Sequence, residues 1–224
     1  MSSRLLLTRR IAQLLVGLFL YGFGIGMMLQ AHIGVAPWDV LTQGVSAQTG
    51  WSFGLLTDVI GGLVLLLWIP IRQKPGIGTV VNVLLIGPSA QFALAVVPSQ
   101  TRPLEQGILF AGGLALLAVA TGLYIGARMG PGPRDGLMTG IHRRTGWPIW
   151  AVRTAIEVTV LAAGWLLGGS VGIGTVAFAL LVGPMVNVTI PWLRVPDARG
   201  AVPVAHLPRT PGSPRPLIEP EVNR

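Results

Sequence analysis

The chain is predicted to be an all-α integral membrane protein, with six transmembrane helices arranged as two inverted-topology repeats of three. Each repeat carries one short re-entrant or interfacial helix. Three observations lead to this expectation. Of 224 residues, 51% are hydrophobic and 11% charged, the mean hydropathy is +0.67, and the uncharged runs exceed the roughly 18 residues that separate a membrane span from a buried core helix. The sequence repeats itself at a fixed offset of 96 residues. The basic residues gather in alternate connections, the pattern that orients a multispan chain.

In chain order, the expected spans are 11–30, 51–71, 76–97, 104–127, 147–168 and 172–193. The first is too long for a signal-peptide core and lacks a small-residue cleavage site, so it is expected to be retained. Arg4, Arg9 and Arg10 precede it; Arg72 and Lys74 separate spans two and three; Arg128, Arg134, Arg143 and Arg144 separate four and five; Arg194 and the tail arginines follow six. These groups fall on one side, and the opposite side receives Arg102 alone. Both termini are therefore expected in the cytoplasm. The chain divides into a cytoplasmic N-terminus (1–10), a first repeat (11–97), an external loop (98–103), a second, inverted repeat (104–193) and a tail (194–224). Rich in proline and arginine and poor in apolar residues, the tail is expected to be disordered.

The repeat is most visible in two blocks. HIGVAPWDVLTQGVSAQTGW (32–51) matches RMGPGPRDGLMTGIHRRTGW (128–147), with Asp39 on Asp135, and GIGTVVNVLLIGP (76–88) matches GIGTVAFALLVGP (172–184). Three spans per unit is an odd number, so the second copy enters the membrane upside down, as in many secondary transporters. In the first block, a small-residue or glycine turn and a proline precede about ten uninterrupted residues, too few to cross a bilayer. This predicts short helices over 34–50 and 130–146, with Asp39 and Asp135 as N-caps facing the positive end of the helix dipole. In the second block, Gly87-Pro88 and Gly183-Pro184 fall within spans three and six. Proline there removes a donor, leaves the Leu84 and Leu180 carbonyls unpaired and predicts kinks facing the bundle interior.

Ionisable residues within spans mark a partner or a water-filled path. Asp58 in span two has no charged neighbour on its helix and is the expected proton-coupling residue; Arg153 and Glu157, at i,i+4 in span five, are expected to pair with each other or to orient a substrate. Asp39 and Asp135 complete the set of substrate or proton-coupling candidates, and Asn82, Gln91 and Asn187 place neutral polar groups in the bundle interior. The absence of cysteine and the three scattered histidines give no metal-site motif. GIGT lacks the lysine of a phosphate loop, and no zinc-protease or nucleophile-elbow pattern supports an enzyme. No catalytic residue, metal or cofactor is therefore assigned. The basic residues border apolar spans rather than forming a soluble patch, which argues against nucleic acid.

On GVAPWDVLTQGVSAQTGWSFG, PGIGTVVNVLLIGP and the second copy of each, covering about residues 10 to 193, the chain resembles the YczE/YitT/YyaS group of bacterial multi-pass membrane proteins. With only a short tail after the last span, it is more similar to the YczE branch than to YitT-type members, which carry a soluble C-terminal domain. The resemblance implies a bacterial inner membrane. It also implies an exporter or a role in secondary-metabolite production, and it transfers no binding residue. The leading expectation is a secondary transporter, a proton-coupled exporter of a small amphipathic molecule or antibiotic-like metabolite. The alternative is a non-transporting accessory protein for a membrane-associated enzyme complex. Expected partners are the lipid bilayer, a small-molecule substrate of unassigned identity, and a second copy of the chain or a cytoplasmic protein.

Overall fold

The computed structural model describes residues 3–195; the tail expected to be disordered lies almost wholly outside them. Eight helices and no strands occur among the described residues: α1 (Ser3–Gln30), α2 (Pro37–Thr49), α3 (Phe53–Leu66), α4 (Ile77–Val96), α5 (Pro103–Gly126), α6 (Pro133–Thr145), α7 (Ile149–Leu166) and α8 (Ile173–Leu193). Five of them, α1, α4, α5, α7 and α8, are long and apolar enough to cross a membrane. A sixth crossing exists only if α2 and α3 act together, and these are bent by 117° at the break between them.

Two expected boundaries are corrected. The first helix begins at Ser3 rather than at 11, because leucines and arginines are good helix formers and a charge ends an apolar run without ending a helix. The second expected span shrinks from 51–71 to the 14 residues of α3, about 21 Å at 1.5 Å per residue, against a hydrocarbon core of roughly 30 Å. Pro70 disfavours the α conformation at Ile69, and the chain turns there instead. Trp68 leaves the helix axis and becomes fully buried, its indole donating to the Pro133 carbonyl at 3.0 Å.

The 96-residue repeat governs the backbone. α2 and α6 correspond residue for residue. Every left-handed residue among those described has a left-handed counterpart 96 positions away: His32 with Arg128, Gly34 with Gly130, Gly50 with Gly146, Arg72 with Gly168. Packing is largely repeated too, with α4 lying along α1 as α8 lies along α5. Between the copies, α1 and α5 form the central pair, meeting so closely that a Cβ on Gly24 would lie 2.8 Å from the Gly113 carbonyl and the reverse. Small residues at such crossings let membrane helices make dispersion contacts along their backbones.

The GIGT blocks tie the copies together. Gly78 N–H donates to the Met129 carbonyl at 2.9 Å, and its counterpart Gly174 N–H donates to Ile33, the counterpart of Met129, at 2.7 Å. Each GIGT therefore docks on the glycine turn of the other copy. The docking is reciprocal: each copy's block touches the turn of the other. The threonine of each block accepts the N-cap amide of its own helix, Thr79 from Gly76 at 3.2 Å and Thr175 from Gly172 at 3.3 Å. Thr79 also donates to the Pro131 carbonyl at 2.7 Å. Reciprocity extends to size: Trp68 packs on Gly136 of α6, and at the position equivalent to Trp68 stands Gly164, which packs on Val40 and Leu41 of α2.

Candidate functional site

The short helices aim the site. Proline at the first helical position brings its φ preset and lacks only an amide that would be unpaired there. Gly50 and Gly146, left-handed at φ 73° and 72°, end the two helices and return their amides to Ser46 and His142. The expected capping role of the aspartates is corrected. Ala36 and Gly132 are the N-caps, so Asp39 and Asp135 are the third residues of their helices, and neither cap has a side-chain hydrogen bond. In the first turn both carboxylates still complement the helix dipole, and proline's seat at the first position moves the cap one residue ahead of it.

Each aspartate has a different partner. Asp39 is 1% exposed, and Arg134 of the second copy reaches it at 3.6 Å, an ion pair too long to be a hydrogen bond. The Arg134 guanidinium also stands 5.0 Å from the centre of the Trp38 ring, within cation–π range. One arginine from the second copy thus clasps the Trp-Asp pair of the first. Asp135 instead accepts the Tyr124 hydroxyl at 2.9 Å, and Tyr124 meets Tyr21 edge to face at 5.8 Å.

Trp38, Arg134, Asp135, Tyr124 and Tyr21 border a cavity of about 370 Å³ between the copies, within the range of small-molecule sites, and Asp39 lies behind Arg134. The first copy contributes Tyr21, Trp38, Thr57 and Asn82. The second contributes Tyr124, Arg134, Asp135, Arg153, Glu157 and Asn187, and apolar residues such as Phe178 and Val182 complete the wall. Equivalent positions face the cavity with unequal chemistry: Thr57 corresponds to Arg153, Gly61 to Glu157 and Trp38 to Arg134. The charge comes from the second copy. Arg153 and Glu157 pair along α7 at 2.9 Å, with side chains 52% and 25% exposed, so Arg153 is not the deeply buried cation its place in the span suggested.

Other candidates lie elsewhere. Asp58 is absent from the cavity wall and accepts the Gly87 amide at 3.0 Å, stitching α3 to α4. Gln91 accepts the free first-turn amide of Gly54 at 3.1 Å. Helices α4 and α8 remain helical through Pro88 and Pro184, and α8 contains Pro191 as well. Gly183 lines the cavity, whereas Gly87 is covered by Asp58 and the Gly54 carbonyl. Accordingly α3 packs along α4, while α7 makes almost no contact with α8. The sequence reading missed Tyr21, Trp38, Tyr124 and Arg134. Arg134 reads in the sequence as a topology charge, and its position beside Asp135, where the first copy has tryptophan, is the signal of its other role. The chain's two tyrosines both face the cavity, which their scarcity in so apolar a chain hinted at.

Residues 8–191 match the model of a family of unknown function, DUF6198. The chain is 36% identical over 179 residues to an uncharacterized protein of Haemophilus influenzae, covering 80% of this chain and 82% of the relative. It is 32% identical over 177 residues to the uncharacterized membrane protein YczE of Bacillus subtilis, covering 78% and 82%. It is 26% identical over 181 residues to the uncharacterized protein YyaS of the same bacterium, covering 79% and 90%. No solved structure matches. With apolar helices of membrane-spanning length and a relative that is named a membrane protein, the chain is a membrane protein, and it belongs to the DUF6198 family.

Proposed function

We propose that the protein is a secondary transporter whose two repeats are inverted in a bacterial inner membrane, with both termini cytoplasmic and the substrate held between the copies. The observation that carries this reading is the cavity itself, which lies where two reciprocally docked copies meet and is lined by ionisable and aromatic side chains. Ionisable groups at membrane depth are costly and mark a pathway. If α3, with the help of α2, completes one crossing, each copy crosses three times, an odd number that inverts the second, and α2 and α6 then approach from opposite faces and frame the site. The chain carries its substrate rather than converting it.

The unequal seams support alternation. α3 is stitched to α4 through Asp58 and Gly87, while the equivalent α7 stands off α8, so one copy is closed and the other open. In an inverted pair, exchange of these two arrangements moves the opening from one side of the membrane to the other.

The test is flux of a panel of small amphipathic molecules in proteoliposomes, with and without an imposed pH gradient. The reading predicts saturable flux of at least one compound, accelerated by the gradient. Copurification of a cytoplasmic protein without flux of any compound contradicts it and favours an accessory role.

A further inference from the structure

The cavity's charges do not cancel. Arg134 is matched by Asp39 at 3.6 Å and Arg153 by Glu157 at 2.9 Å, each cation having one carboxylate. Asp135 is left over. Its sole hydrogen bond among the described residues is the Tyr124 hydroxyl at 2.9 Å, a neutral donor. The groups facing it are Tyr21 from α1, Asn82 from α4, Tyr124 from α5, Arg134 beside it on α6, Arg153 and Glu157 from α7 and Asn187 from α8, with Asp39 of α2 behind Arg134. An unmatched carboxylate in a confined site calls for a positive partner.

The surroundings define that partner. Tyr21, Tyr124, Trp38 and Phe178 present aromatic surface around the cavity, and aromatic faces attract cations through the ring quadrupole. Resting on the transporter reading for its setting, we propose that Asp135 anchors an amphipathic organic cation, and that a proton is the alternative occupant of the same carboxylate. Binding the cation displaces the proton and protonation releases the cation. This is the thermodynamic basis for exchanging one against the other. An organic anion of equal size is excluded, because it meets the unmatched carboxylate.

Tetraphenylphosphonium and tetraphenylborate, nearly identical in shape and opposite in charge, separate these cases. Equilibrium dialysis of the detergent-solubilised full chain against protein-free micelles is expected to give saturable binding of the phosphonium and none of the borate. Affinity for the phosphonium should fall as pH is lowered, and each cation bound should release up to one proton into weakly buffered solution. Asp135→Asn is expected to weaken binding at least tenfold and to abolish proton release; Tyr124→Phe, which keeps the carboxylate, should bind with a smaller loss and still release protons. If Asp135→Asn does not elute as folded protein, the proton release of the wild-type chain and of Tyr124→Phe decides the matter. Equal binding of the borate, absence of phosphonium binding, unchanged binding in folded Asp135→Asn, or binding without proton release at every pH overturns the proposal. Binding without flux leaves this site standing and sinks the transporter reading, whereas flux unaltered in Asp135→Asn does the reverse.

Discussion

Gly87 and Gly183 occupy the same position in the two copies and should respond oppositely to one added methyl group. A Cβ at Gly87 would fall onto Asp58 Oδ1 and the Gly54 carbonyl, whereas nothing lies within 4 Å of the place Gly183's would take. Overpacking against fixed backbone costs about 1–3 kcal/mol, while alanine in an open helical position gains up to about 1 kcal/mol over glycine. Gly87→Ala should therefore lower the thermal unfolding midpoint in detergent, and Gly183→Ala should leave it unchanged or raise it. Equal shifts would mean that the two seams are alike. The same residues explain what Asp58 does: its carboxylate accepts an α4 amide that a sequence reading cannot pair with it, because the partner lies on another helix.

At the scale of elements, the long helices were legible because unbroken apolar runs ended at glycine or proline; α4, α5, α7 and α8 lie within two residues of their expected spans. α2 and α6 were legible from a proline at the start and a glycine just past the end. α3 was not, since hydropathy runs on through Leu66-Leu67-Trp68-Ile69 while the helix ends at Leu66, ahead of Pro70, which disfavours the α conformation at Ile69. The role of GIGT was hidden for another reason, because its partner is the turn of the opposite copy. Thr79→Val removes a buried hydroxyl that both accepts the Gly76 amide and donates to Pro131, leaving two backbone groups unpaired at about 1–3 kcal/mol each. Among the described residues, Thr175 has only the amide of Gly172 in the corresponding place. Thr79→Val should accordingly destabilise the protein more than Thr175→Val in thermal unfolding, and the opposite order would show that the inter-copy bond contributes little.

For the molecule as a whole, the outer surface is apolar over much of its extent, with Leu63, Leu84, Leu104, Leu166 and Leu180 all more than half exposed. Apolar surface of this kind is unfavourable in water and natural in lipid. The cavity lies between the copies, and the pairing of its Arg134 with Asp39 joins residues far apart in sequence, so charge placement alone did not reveal it. What organises this surface and this cavity is the proposed inversion of one copy relative to the other. The chain has no cysteine, so single cysteines can be introduced without background. The equivalent positions Gln48 and Arg144, both exposed near the ends of α2 and α6, give the most direct test. In intact cells, a membrane-impermeant thiol reagent should label Gln48→Cys and spare Arg144→Cys, which should react only in inverted vesicles or after permeabilisation; labelling of both from the same side would contradict the inverted arrangement and the site built upon it.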